Sequence, residues 1–469
     1  MRLLHVVSSP ADGPPCDRNC EGATIYLGSS GRLSEIGERA ISDALSRRRD
    51  ADAVYGDIEV CGVVERRPAW SPTRLLNEPG ACLPVAVRCA TLAELGCSVT
   101  DPGLGLRLVE HNSLVLHVPS VLSRHPRPPA CADVADLDSH LARIGIAATA
   151  VEGDRAGRFR LVPDPSEQPP VSIVIPTAGK ALGDGIGTEL AVERCLARIA
   201  ATGRPNLEVI LLVGEEYQGD PEQIASAGLP VWLERRPHGE FNFSAACNQG
   251  ILAARNELVL LLNDDTEMDP GAIDAMAVHF GDPRVGGVGA LLRYPDGTIQ
   301  HAGMVIDNAH PLHPFVGWPI EDSQRYGGTV ARDVISVTGA CLMSRRSLLL
   351  ALGAMSTHFP LSFNDVDLCL KIRRSGRRVI VEPAATAVHR ESFSRVARIF
   401  DWEWDRWIDR WGEVADPWYH PGYRRPDDPE NFRLNADHLE PTEPRDHCDP
   451  RDTAIKVGAH RPRTNRHLT

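Results

Sequence analysis

Three uninterrupted apolar runs dominate the middle of the chain: VSIVIPT at 171–177, LEVILLV at 207–213 and LVLLL at 258–262. None alternates with polar residues, so each predicts a strand buried on both faces, as in a parallel sheet. Between them, GTELAVERCLARIAA (187–201) and SAACNQGILAAR (244–255) carry helical periodicity. Strand–helix alternation of this kind predicts a doubly wound α/β sheet, with ligands beyond the carboxyl ends of its strands. Farther along, FNDVDLCLKIRRSG (363–376) predicts an amphipathic helix stopped by Gly376, and RRVIVEP (377–383) another short strand. In IFDWEWDRWIDRW (399–411), Trp404, Trp407, Ile408 and Trp411 share one helical face. That face predicts a helix capping the core; peripheral contact with a membrane surface or a lipid-linked substrate is the alternative.

The third apolar run ends abruptly in Asn263-Asp264-Asp265-Thr266-Glu267, where like charges crowd together. Two readings stay open on the residues alone. Adjacent carboxylates beyond a strand offer hard oxygen ligands for Mg²⁺ or Mn²⁺, and a divalent ion turns their repulsion into attraction. Alternatively Asp264 or Asp265 caps a helix running through PGAIDAM, with Glu267 in its first turn.

The length of 469 residues allows two or three domains, and 42% hydrophobic with 24% charged residues is an ordinary globular composition. A formal net charge of −13 argues against a protein that binds nucleic acid through its phosphates. The opening MRLLHVVSSPADGPP has too short an apolar run for a signal peptide, and no window suggests a transmembrane helix. Cysteines such as Cys341 and Cys369 sit in apolar segments, which suits reduced core thiols and a cytoplasmic location. Cys16 and Cys20 form one close pair with no second pair at zinc spacing, so they are expected to be free. The GGVG run near 287 lacks the third glycine of a dinucleotide fingerprint.

Several stretches carry a resemblance when taken together and in order: VSIVIPT, FNFSAACNQGI, LLLNDDTEMDP, GGVGALLRYPDGTIQHAG, VTGACLM, FNDVDLCLKI and VHRESFSR. Over about 171–400 the chain resembles glycosyltransferase family 2, and within it the O-antigen and rhamnosyl-type transferases of GT-A fold. The resemblance implies attack of a sugar hydroxyl on the anomeric carbon of a nucleotide-sugar, with inversion and loss of a nucleoside diphosphate. Asp265 and His389 match metal ligands for Mg²⁺ or Mn²⁺, and Asp264 matches a residue near the ribose. Asp365 matches the base that takes the acceptor proton, with Asp367 as runner-up; without the resemblance Asp365 reads more readily as a helix cap. Pro176, Thr177 and Asn242 fall in motifs of the donor pocket, and Gly339 and Ala340 match a close-approach segment beside sugar and acceptor. Arg390 and Arg395 stand where they could neutralise the diphosphate. One departure concerns the aspartate that the family places after its second strand, at the nucleobase: here LLVGEEYQ offers Glu215 instead. His301 is a weaker pocket candidate after the Asp296-Gly297 turn.

An internal comparison aligns ATIYLGSSGRLSEIGERAI with LVLLLNDDTEMDPGAIDAM, setting Ser29 and Ser30 opposite Asp264 and Asp265. In the same alignment Asp101 falls opposite Asp365 and His125 opposite His389. The expected organisation is a truncated, degenerate glycosyltransferase-like domain at 1–128, a connector at 129–170, a catalytic GT-A domain at 171–415 and a disordered tail at 416–469. The expected partners are a dTDP- or UDP-sugar donor and a glycan or lipid-linked acceptor. The expected activity is metal-dependent and inverting; the alternatives are an inactive scaffold partner that keeps the fold, and a nucleotidyltransferase.

Overall fold

The computed structural model describes residues 4–8, 22–28, 30–182, 189–217, 220, 224–236, 239–307, 309–324, 327–390, 399–418 and 467–468. The chain divides into two compact units between Val162 and Pro163. In the second, the three apolar runs are strands β1 (Val171–Thr177), β2 (Leu207–Val213) and β4 (Leu258–Leu262), with β3 (Val231–Arg235) beyond β2. All four run parallel, Val171 standing opposite both Leu207 and Leu258. The sheet continues through β8 (Cys341–Arg345), β6 (Val285–Arg293), β9 (Arg378–His389) and β5 (Thr266–Met268), in the order β3-β2-β1-β4-β8-β6-β9-β5. Of these, β8 and β5 are antiparallel to their neighbours, which makes the sheet mixed.

Unbroken apolar runs form the sheet centre because both faces are covered. Ile173 and Ile175 pack under Val192, Leu196 and Ile199 of α1 (Ala191–Ala201). Val174 faces the other way, toward Ala246, Cys247 and Ile251 of α2 (Phe243–Ala253). A Cβ at Gly250 would lie 2.2 Å from Val174, so the lack of a side chain lets α2 approach the sheet. This is the doubly wound, GT-A-type α/β class that the sequence predicts.

Three local expectations are corrected. The acidic cluster caps no helix: Thr266–Met268 is a strand, and α3 (Ala272–Ala277) starts only after Pro270 and Gly271, with no side-chain cap. Pro383 does not end its strand; a register shift opposite Ala290 and Leu291 absorbs it, and β9 runs on to His389. Asp365 is not a cap but lies inside the first turn of α4 (Asn364–Arg374), which follows Phe363 at φ 61°.

The tryptophan helix is α5 (Asp401–Trp411), and Trp407 and Trp411 are buried in a cluster with Phe359 and Phe363 while Trp404 packs at its edge. Ile408 is the exception on that face, since it is exposed. Asp367 holds this helix down. Fully buried, it accepts from Trp411 Nε1 and pairs with Arg410 Nε, each at 2.9 Å. A carboxylate so engaged is structural, which removes Asp367 as an alternative base. Asp367→Ala withdraws the acceptor shared by the buried Trp411 indole and the partly buried Arg410 guanidinium and should cost about 3–5 kcal/mol, measurable by denaturant unfolding.

The first unit has a smaller mixed sheet in the order Leu4–Val7, Ala23–Tyr26, Ala86–Arg88, Ala53–Val60, Val115–His125, Arg32–Leu33. Order, chain sequence and strand directions all match those of β1-β4-β8-β6-β9-β5. Counterparts of β2 and β3 are missing among the described residues. Of the stretch expected to be a connector, residues 129–162 group with this unit and 163–170 with the second. Helix Val134–Ile144 carries a capping box, buries Leu137 and Leu141, and pairs His140 with Glu110 at 2.7 Å. Among the described residues eight cysteines, including Cys341 and Cys369, are free thiols as expected of the core, while Cys89 is disulfide-bonded and departs from that pattern. Most of the expected tail, with Cys16 and Cys20, lies outside the described residues.

Candidate functional site

At the carboxyl ends of β1 and β4 the three clustered carboxylates separate into different environments. Thr177, the last residue of β1, donates from Oγ1 to Asp264 Oδ2 at 2.7 Å, and its oxygen accepts the N–H of Gly179 at 3.0 Å. Burial pushes the Asp264 carboxyl up to about 6, with Asp265 adding to the effect and Thr177 and the Ala178 N–H opposing it. Glu267 turns away and is taken up by Arg390 Nε at 2.7 Å, with Arg194 and Arg198 at 3.9 Å. Arg390 therefore neutralises Glu267 through its Nε. Pro176 is buried in β1 beside Leu212.

The Asp264 shift has a consequence for stability. An aspartic acid raised from 3.8 to about 6 on folding binds more protons folded than unfolded, so stability falls as pH rises through that window and stays reduced above it. Asp264→Asn should therefore stabilise the metal-free protein at pH 7 by on the order of 3 kcal/mol, a gain that vanishes near pH 4. Thermal unfolding at several pH values checks both parts.

Asp265 lies 3.1 Å from His389 Nε2, although 123 residues separate them in the chain. The pairing follows from the sheet: β5 runs antiparallel to the end of β9, Thr266 opposite His389, and Arg390 N donates to Asp265 O. Asp265 Oδ1 is buried and accepts no hydrogen bond among the described residues, although His389 Nε2 lies 3.1 Å away. A buried carboxylate oxygen left in this way calls for a cation. The donor set, one carboxylate and one imidazole, suits a borderline-hard ion such as Mn²⁺ as well as Mg²⁺. Among the described residues no group of three His, Cys, Asp or Glu is gathered for a metal.

The candidate base faces the same turn. Gly339 N donates to Asp365 Oδ2 at 2.9 Å and Val366 N to Oδ1 at 2.8 Å, so two backbone groups orient the carboxylate. A Cβ on Gly339 would come 3.3 Å from Asp365 Cβ, which is why this position suits glycine. The next residue, Ala340, accepts at its carbonyl the N–H of Asn263, 3.0 Å away. Asp365, Gly339, Ala340, Asn263, Asp264, Asp265 and His389 thus form one chain of contacts.

Two further predicted residues lie at element ends, and a third falls outside the described residues. Asn242 is the N-cap of α2, accepting from Ala245 N and donating to Thr357 O, both at 2.9 Å. Glu215 is exposed on the turn after β2, while its neighbour Glu216 pairs with Arg236. Arg395 lies outside the described residues. The sequence reading missed Tyr217, whose ring covers Gly179 where a Cβ would be 2.5 Å away, and whose buried hydroxyl is pushed up to about 12 by burial. It also missed Gln300, which touches His389. His301 is buried and neutral: its Nε2 accepts the N–H of Gly303 and Thr338 at 3.3 Å, and burial drives its basicity well below the usual range. No helix among the described residues is long and apolar enough to cross a membrane.

The chain is 30% identical over 447 residues to the O-antigen biosynthesis protein RfbC of Myxococcus xanthus, covering 86% of this chain and 34% of that protein. It is 28% identical over 149 residues to the N-acetylglucosaminyl-diphospho-decaprenol L-rhamnosyltransferase of Mycobacterium tuberculosis (strain ATCC 25618 / H37Rv), covering 30% and 48%. The chain therefore spans less than half the length of either relative. Among solved structures, GalNAc-T7 with UDP, GalNAc and Mn²⁺ superposes with a TM-score of 0.40 at 12% identity, over 56% of this chain and 52% of that one. Residues 169–409 match the family model described as Glycosyltransferase like family 2, and the chain belongs to that family.

Proposed function

We propose that the second unit is a metal-dependent, inverting glycosyltransferase that moves a sugar from a nucleoside-diphosphate donor to a glycan or lipid-linked acceptor. The observation that carries this reading is the unpaired Asp265 Oδ1 beside His389 Nε2, at the strand ends where an α/β sheet binds its ligands. Asp265 and His389 would hold Mg²⁺ or Mn²⁺, which when bound stabilises the charge gathering on the departing diphosphate. Thr177 and Asp264 form the neighbouring wall for the nucleotide. Asp365, oriented by Gly339 and Val366, takes the proton from the acceptor hydroxyl as it attacks from the face opposite the leaving group. Rhamnose from a dTDP donor is the favoured sugar, on the strength of the rhamnosyltransferase relative. Action in the cytoplasm, at the inner face of the plasma membrane, is the matching location for a lipid-linked acceptor.

The first unit fits a degenerate, noncatalytic copy. Its strand order repeats that of the second unit. His125, at the end of the strand matching β9, has its Nε2 2.8 Å from Ser123 Oγ, and Leu27 contacts the ring through its backbone. Asp101 precedes its helix and accepts the N–H of Gly103, instead of lying in the first turn as Asp365 does. Residue Ser29 lies outside the described residues.

Calorimetric titration of the full chain with UDP and dTDP, with and without Mn²⁺, tests the proposal. Binding that requires Mn²⁺, followed by turnover of one member of a nucleotide-sugar panel, is the expected result. Nucleotide binding indifferent to metal would favour the scaffold alternative, and turnover of nucleoside triphosphates the nucleotidyltransferase.

A further inference from the structure

We infer that Gln300 is a positioning residue that holds the His389 imidazole with its proton on Nδ1 and its Nε2 lone pair turned toward Asp265. The residue is buried and bonds to the same histidine twice. Its Nε2 donates to the His389 backbone carbonyl at 3.2 Å, and its Oε1 lies 2.6 Å from His389 Nδ1. A backbone carbonyl can only accept, so the first contact fixes which end of the amide carries the NH₂ group. The amide oxygen must then face Nδ1, and an oxygen there requires a proton on that nitrogen. In the neutral ring this leaves Nε2 as a lone pair, 3.1 Å from the unpaired Asp265 Oδ1 and 3.3 Å from the Asn263 amide nitrogen.

The backbone supplies an independent reason for this placement. Strand β7 (Ile299–His301) pairs with β6 so that His301 opposes Leu292 and Ile299 opposes Arg293. Gln300 is the extra residue at that bulge. A bulge re-aims a side chain that regular alternation would send elsewhere, and here all three residues of β7 are buried. Histidines that bind a metal commonly donate their other ring N–H to a fixed acceptor, which sets the ring orientation and raises the basicity of the ligating nitrogen. The purpose assigned to Gln300 rests on the metal reading of His389, but the proton position it imposes is testable without metal.

The test is long-range ¹H–¹⁵N correlation on the full chain with ¹⁵N-labelled histidine, free of metal near neutral pH, with His389→Asn identifying the signal. The expected wild-type spectrum has the proton on Nδ1 and an unprotonated Nε2. Gln300→Leu keeps the shape but removes the acceptor; it should give a mixture of tautomers and weaken Mn²⁺ binding in the presence of UDP by about 10–100-fold, read by Mn²⁺ paramagnetic resonance. A wild-type proton on Nε2, or a Gln300→Leu protein with unchanged tautomer, would overturn the inference. Should that variant fail to fold, the wild-type spectrum still decides. An Nδ1–H ring in a protein that takes up no Mn²⁺ with UDP would support the orientation and overturn the metal reading alone.

Discussion

Asp265→Ala should abolish Mn²⁺-dependent nucleotide binding and leave the fold intact. His389 Nε2 lies 3.1 Å from Asp265 Oδ1, and that oxygen accepts no hydrogen bond among the described residues. Removing a buried carboxylate that satisfies no partner costs little, and relieves its repulsion of Asp264. With only two protein ligands proposed, losing one halves the anchorage. The expected outcome is loss of the calorimetric signal that Mn²⁺ adds to UDP or dTDP titration, with an unfolding midpoint equal to or above wild type. Retained metal-dependent binding would end the case for this site. Chelation of the wild-type protein should have the same effect on binding.

Asp365→Asn should separate binding from chemistry. A positioned general base contributes about 10²–10⁴-fold to rate, so turnover should fall by that order while donor affinity stays within about twofold of wild type. Asparagine preserves shape, and its amide oxygen can still accept the Gly339 N–H now received by Asp365 Oδ2. What it loses is the capacity to receive a proton from the acceptor. Asp367→Ala provides the contrast, since that residue is locked to Arg410 and Trp411 and its removal should lower stability rather than spare it. Turnover at the wild-type rate in Asp365→Asn would remove Asp365 from the mechanism.

The parts of the fold legible in the sequence are those governed by burial along a single element. VSIVIPT, LEVILLV and LVLLL become strands with the predicted bounds because both sheet faces are covered, and an unbroken apolar run has no other stable home. Pairings across the chain were less legible. Nothing local to Glu267 shows that Arg390 will neutralise it, and nothing near Gln300 shows that a bulge will turn it onto His389. Asn242 shows that a residue at a motif position also serves its own helix end, a role the motif does not announce. The capping box of the helix at Val134–Ile144 announces a helix without saying which core receives it.

By itself the sequence determined the mixed α/β class and the ordered set of family motifs, since strand burial and turn chemistry are written in neighbouring residues. Only the tertiary structure decided how the crowded carboxylates divide: Asp264 to Thr177, Glu267 to its arginines, and Asp265 to a pocket with His389. The division depends on β5 pairing with the far end of β9, a contact between residues more than a hundred positions apart. Which charge remains uncompensated is a property of that pairing, and no local pattern records it.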